Sequence, residues 1–83
     1  MDMEVSVRAE KSLGFRVYDE FSPDCIREEK EAFYITFPCA DEEWLYGWLL
    51  SFGPGLEVLG PKEVRSEMKR RLRLMAGQYE ENI

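Results

Sequence analysis

The sequence contains no histidine and only two cysteines in 83 residues. Without histidine the chain cannot form a cysteine–histidine nucleophile pair or carry out histidine acid–base chemistry. Cys25 and Cys39 do not fit the spacing of a metal-binding motif. So few cysteines in a small domain favour a reducing compartment and free thiols. We therefore expect a cytoplasmic protein with no bound metal and no cofactor.

Long hydrophobic runs are also missing. No apolar run approaches the roughly 20 residues that a membrane-spanning helix needs, and no signal-peptide pattern opens the chain. Apolar residues make up 45% of the sequence and charged residues 34%, a globular balance, and aromatic residues at 13% supply a compact core. The sequence predicts a single domain over residues 1–83 without membrane contact, near the size at which one core is just sufficient.

Acidic residues outnumber basic ones by 17 to 11, giving a net charge of −6. The basic residues are concentrated late in the chain, where residues 62–73 hold six basic and two acidic side chains. An acidic domain repels phosphate, so nucleic acid is not expected as the main ligand of the chain alone.

Apolar periodicity predicts the order β-α-β-β-α-β-α. Residues 4–9 alternate as a half-buried strand, and a hairpin with its turn near 30–31 follows a first helix over 13–21. The expected remaining elements are strands at 25–29, 32–37 and 56–59 and helices at about 41–52 and 61–77. This pattern predicts an α+β ferredoxin-like β-α-β-β-α-β domain, with a four-stranded antiparallel sheet and an additional C-terminal helix.

Several residues predict where these elements begin and end. Ser12 and Asp41 are expected to cap the first and second helices, and Pro38 to end the second hairpin strand. Gly53 is expected to stop the second helix, and Gly47 within it to mark a close contact with a neighbouring element.

Two helical stripes are expected to be buried. One lies on the second helix and the other on the last helix, whose first position is assigned to Pro61. The tryptophans Trp44 and Trp48 could instead line a ligand pocket. The two stripes consist of Trp44, Leu45, Trp48, Leu49 and Phe52, and of Val64, Met68, Leu72, Met75 and Tyr79.

The predicted open face of the sheet is the first candidate site. It carries Arg8 and Tyr34, beside Glu4, Ser6 and Thr36. Tyr34 with Arg8 could stack on a nucleobase, as sheet aromatics do in single-strand binders. Alternatively, a mixed polar face in a small domain serves as an interface with another domain or subunit.

A row of basic residues on the last helix is the second candidate site. Spacings of 3, 4 and 4 align the members of this row, which are Lys62, Arg65, Lys69 and Arg73. The row could contact phosphate, a nucleotide or an acidic partner, or it could be a solvated face with Glu63 and Glu67 as counter-charges.

No arrangement in the sequence predicts catalysis. Carboxylates are abundant at residues 28–31 and 41–43, but they fall in turns and at a helix start rather than as a pair in a pocket. An enzyme of the dimeric ferredoxin-like type would need a pocket histidine or a paired polar cluster. We therefore expect no catalytic residues and no enzymatic activity.

The stretch from residue 44 to residue 79 resembles the C-terminal extension (WCX) domain of bacterial WYL-domain, helix-turn-helix transcriptional regulators. The matching residues are WL at 44–45, WLLSFG at 48–53, LEVL at 56–59, Pro61, Val64, Arg65 and Tyr79. In that family a winged helix-turn-helix binds DNA, a central WYL domain senses a ligand, and the ferredoxin-like extension assists dimerisation and the response to an effector.

The resemblance implies that the chain is a C-terminal fragment of a longer regulator, without direct operator DNA binding of its own. The implied partners are the neighbouring WYL domain and a second subunit, with a nucleic-acid or small anionic effector. The contact residues would be Arg8, Tyr34, Arg65, Lys69 and Arg73. A free-standing ACT-like small-molecule-binding module is the alternative, although the extra helix and the missing glycine-rich loop after the first strand count against it.

Overall fold

Two central strands form the middle of the sheet in a computed structural model, which describes residues 2–80. Strands β1 (Met3–Glu10) and β3 (Ala32–Cys39) pair antiparallel, with Val7 opposite Ile35. Their apolar residues alternate with polar ones, so one face of each strand is buried. The predicted alternation is confirmed.

Strands β2 (Ile26–Glu28) and β4 (Leu56–Gly60) complete an antiparallel sheet in the order β2-β3-β1-β4. Helices α1 (Gly14–Glu20) and α2 (Glu43–Leu50) connect the strands, and α3 (Lys62–Gly77) follows the last one. Short 3-10 turns precede α1, β2 and β4 at Lys11–Leu13, Pro23–Cys25 and Gly53–Gly55. The predicted α+β ferredoxin-like order, with an additional C-terminal helix, is confirmed.

One hydrophobic core joins the inner face of the sheet to α1 and α2. It combines β-strand aliphatics such as Val5 with Val17 of α1 and Leu45 of α2, all three with no exposed surface. Aromatic rings close one end: the ring centroid of Phe21 lies 5.2 Å from that of Phe37 and 5.3 Å from that of Trp48. Such pairs add to the stability that burial provides.

The starts of α1 and α2 differ from the prediction. Neither Ser12 nor Asp41 caps a helix: Ser12 donates to Glu10 at 3.3 Å, and Asp41 accepts a hydrogen bond from the hydroxyl of Tyr46 at 2.9 Å. The reason at Asp41 is the burial of Tyr46, since a buried hydroxyl needs a partner and the nearest carboxylate supplies it.

Pro38 does not end β3, which continues to Cys39 with Pro38 opposite Glu4 of β1. The neighbouring strand β2 ends its pairing at Ile35. A proline is tolerated where the strand has no partner on one side, because no ladder bond is lost there.

Two predictions for α2 are also wrong. A Cβ added at Gly47 would meet no atom within 4 Å, so no close contact explains this glycine. Trp44 is 54% exposed, whereas Tyr46 is buried, because the buried face of the helix centres on Leu45 and Leu49. Gly53, with φ of 77°, lies just beyond α2 in the left-handed region and confirms the predicted stop.

Helix α3 begins at Lys62, so Pro61 precedes its first residue. Its stripe is buried only in the first half: Val64 and Met68 are 1% and 8% exposed, whereas Leu72 and Met75 are 49% and 43% exposed and Tyr79 lies in the exposed tail. The reason is length. A sixteen-residue helix spans about 24 Å, whereas the five residues of β4, against which it packs, span about 17 Å.

Candidate partner-binding surface

A row of side chains crosses the open face of the sheet from β2 to β4. The strand register places Arg27 opposite Tyr34, Tyr34 opposite Arg8, and Arg8 opposite Glu57. Residues directly opposite one another in neighbouring strands point to the same face and interact. The pairing therefore brings two predicted site residues, Arg8 and Tyr34, into direct contact.

Two long hydrogen bonds connect members of this row to one another and to Glu31. The Nε of Arg8 donates to the hydroxyl oxygen of Tyr34 at 3.4 Å, and that hydroxyl donates to Glu31 at 3.4 Å. The bond to Tyr34 is also the main reason why the pKa of the Arg8 guanidinium is raised. The Arg27 guanidinium lies 4.9 Å from the centroid of the Tyr34 ring, so one face of that ring is already occupied. This occupancy disfavours the stacking of a base on Tyr34.

Arg65 extends the row from the sheet to α3. Its Nη1 donates to a carboxylate oxygen of Glu57 at 2.7 Å and to the backbone oxygen of Val58 at 2.8 Å. The register also places Glu57 opposite Arg8, so Arg8, Tyr34 and Arg65 lie on one continuous surface around Glu57. This arrangement depends on the register between β1 and β4, because nothing in the sequence shows that Glu57 lies opposite Arg8.

The basic residues on one side of α3 are neutralised. Arg71 donates to Glu67 at 2.6 Å and to Glu43 at 2.9 Å, and its guanidinium lies 4.4 Å from the centroid of the Tyr46 ring. Arg70 donates to Glu67 through two nitrogens, at 2.9 and 2.7 Å. The hydrogen bonds from Arg70 and Arg71 lower the pKa of Glu67 to about 2. We name this side, formed by Glu43, Glu67, Arg70 and Arg71, the neutralised side.

The other side of α3 carries Lys69 and Arg73, one and two turns beyond Arg65. Both are exposed, and within residues 2–80 neither forms an ion pair. The five predicted contact residues thus divide into a joined set, Arg8, Tyr34 and Arg65, and two cations further along the helix.

An apolar groove of about 850 Å³ lies beside Lys69 and Arg73. We name it the α3 groove. It runs between α3 and the end of α2, the turn Gly53–Gly55 and β4. Its apolar lining consists of Leu49, Leu50, Pro54, Leu56, Val58, Met68, Leu72, Met75 and Ala76. The sequence analysis did not predict the groove, although an apolar stripe on α3 longer than β4 was a usable signal.

Residues 2–80 contain no group of three or more acidic, histidine or cysteine side chains able to hold a metal ion. Cys25 and Cys39 are free, and burial raises the pKa of the Cys39 thiol. Over the same residues no helix combines the length and apolar character that crossing a membrane requires.

Comparison with known proteins identifies a matching family model and a similar transcriptional regulator. A family model of the WCX domain matches residues 1–76. The HTH-type transcriptional regulator YobV of Bacillus subtilis (strain 168), which is described as uncharacterized, is 30% identical over 79 residues. The match covers 93% of this chain and 25% of YobV, so the chain spans about a quarter of the length of this relative.

Proposed function

This chain belongs to the WCX domain family, and from that premise we propose that it is the C-terminal regulatory module of a WYL-type bacterial transcriptional regulator. In this proposal the module is not catalytic. It couples the sensing of an effector to the DNA-binding domain of the same regulator and assists the pairing of two subunits. Membership of the family favours this function over an ACT-like module.

The geometry supports a role in contacts between domains and subunits. The single observation that carries the proposal is the continuous row Tyr34–Arg8–Glu57–Arg65, which runs from the open sheet face to α3. A polar row next to two unneutralised cations can distinguish two arrangements of a neighbouring domain. An effector that binds one arrangement more tightly shifts the population toward it.

The effector in this proposal is a small anion or a nucleic-acid fragment held near Lys69 and Arg73. The net charge of −6 argues against operator DNA binding by this domain, so operator DNA would be bound by another domain. YobV is described as a transcriptional regulator, which supports a cytoplasmic location, and it is about four times as long as the matched segment, which supports a regulator with further domains. We expect the reading frame around this segment to encode a helix-turn-helix and a small β-domain ahead of it.

Charge reversal in the full regulator tests the proposal. We expect the variant with Arg65→Glu, Lys69→Glu and Arg73→Glu to weaken dimerisation, measured by sedimentation, and to change the effector response of operator binding. Because Arg65 also contacts Glu57, the double variant K69E/R73E serves as a milder test.

The matched control is K11E/K30E, which makes the same charge change at two exposed positions outside α3, the row on the sheet and the groove. The proposal is wrong if K69E/R73E and the triple variant behave like this control in both measurements.

A further inference from the structure

The α3 groove combines an apolar floor with a charged rim. Its floor includes Leu72 and Met75, which are about half exposed, and its rim carries Arg65, Lys69 and Arg73. The three rim residues follow one another at four-residue intervals, so one cation stands beside the groove at each helical turn. Arg65 is paired with Glu57, whereas Lys69 and Arg73 form no ion pair within residues 2–80.

We propose that the α3 groove binds an acidic amphipathic α-helix of a protein partner. The lining of α3 runs from residue 65 to residue 76, a length of about 17 Å, which matches three turns of a second helix. The apolar face of that helix would cover Leu72 and Met75, and its acidic side chains would pair with Lys69 and Arg73. This inference deepens the proposed function, because it states the kind of partner that α3 receives.

The spacing of the charges favours a helix over a fatty carboxylate. A fatty acid has one charged group at its end, whereas the groove offers cations along successive turns. A partner helix repeats its side chains at the same interval of three to four residues, so several carboxylates can face the rim together.

Charge argues against a second copy, and the apolar floor argues against nucleic acid. In a two-fold pairing centred on the groove, Lys69 and Arg73 would meet the same cations of the other copy, which is repulsive. Nucleic acid along the groove could contact the cations of the rim but would leave the apolar floor without an apolar partner.

A pair of synthetic peptides tests the inference with the 83-residue chain. Both are fourteen-residue helices of about four turns, with leucines at helical spacing on one face. One carries glutamates beside the leucines, and the other carries lysines at the same positions. Because the domain has a net charge of −6, non-specific attraction would favour the lysine peptide. We expect the glutamate peptide to bind more tightly, measured by calorimetry, and to shift the NMR signals of residues 65–76.

Matched variants locate the binding site. We expect K69E/R73E to weaken binding of the glutamate peptide by about tenfold or more, and K11E/K30E to leave it unchanged. The neighbours Met75 and Leu74 form a second pair, since both are exposed but only Met75 lines the groove. We expect Met75→Gln to weaken binding and Leu74→Gln to leave it unchanged.

Three results would overturn the inference. The first is that the lysine peptide binds as well as the glutamate peptide. The second is that the groove variants leave the affinity for the glutamate peptide unchanged. The third is that myristate, a short single-stranded oligonucleotide or a second copy of the chain occupies the groove while the glutamate peptide does not bind. If the glutamate peptide does not bind but K69E/R73E still alters the full regulator, the proposed function remains intact. Tight glutamate-peptide binding, with no effect of K69E/R73E on the regulator, would instead contradict the proposed function.

Discussion

The two halves of α3 share one apolar periodicity but have different surroundings. In the first half Val64 and Met68 are buried against β4 and the core, whereas in the second half Leu72 and Met75 are about half exposed beside a groove. The first half therefore serves the stability of the domain. The second half keeps the same apolar spacing although the domain itself does not bury these side chains, which points to burial by a partner.

The same contrast divides the charges of α3. On the neutralised side Arg70 and Arg71 are held by Glu43 and Glu67, whereas Lys69 beside the groove is unpaired within the described residues. Internal ion pairs hold side chains in place within the domain, and unpaired cations remain available to another molecule. The first two of the following predictions compare a residue in the buried half or on the neutralised side of α3 with a residue beside the α3 groove, and the third concerns Tyr46, which packs against the neutralised side.

The largest expected effect comes from identical substitutions in the two halves of α3. Met68→Ala removes a buried side chain and is expected to lower the free energy of unfolding by about 2 kcal/mol or more. Met75→Ala, seven residues later, removes an exposed one and is expected to change it by less than about 0.5 kcal/mol. Urea unfolding of the two variants measures the difference, and equal losses would show that the second half is also part of the folding core.

A smaller effect is expected from two arginines of α3. Arg71→Ala removes contacts with Glu43, Glu67 and the ring of Tyr46, so the thermal midpoint should fall. Arg73→Ala removes no ion pair within residues 2–80, so the midpoint should stay unchanged. Thermal unfolding monitored by circular dichroism compares them. A larger loss for Arg73→Ala would contradict the assignment of the two sides.

The smallest effect concerns alkaline pH on the packed side. Burial, helped by the hydrogen bond to Asp41, raises the pKa of Tyr46 from about 10 to about 12. The phenol of Tyr46 loses its proton at a lower pH in the unfolded chain than in the folded one. Its contribution to the free energy of unfolding is therefore complete below pH 10 and is lost as the pH rises toward 12. Tyr46→Phe should remove this part of the decline in stability and the late phenolate signal in an absorbance titration. Identical pH profiles for the two proteins would refute the raised pKa.

Local patterns in the sequence predicted the elements but not how far each one reaches. Alternation placed Val5 and Val7 inward, and Gly53 marked the helix stop, because period and backbone conformation are local properties. The end of β3 and the overhang of α3 depend on the lengths of the neighbouring strands, which no local pattern contains. Pro38 was therefore misread as a strand end.

The candidate site was predictable in its members but not in its connections. Alternation placed Arg8 and Tyr34 on the open face, and helical spacing aligned Arg65 with Lys69. The link through Glu57 needs the β1–β4 register, and the groove needs the turn Gly53–Gly55 opposite α3. Both are long-range features, so a single sequence does not reveal them.

Hydrogen–deuterium exchange of α3 tests most directly whether its second half is a partner-binding surface. The experiment compares residues 69–77 in the 83-residue chain with the same residues in the full regulator that we propose. We expect exchange of these residues to slow markedly in the full regulator, while the buried strand β1 exchanges equally in both. Equal exchange of residues 69–77 in the two proteins would contradict the account, because it would show that nothing covers the groove.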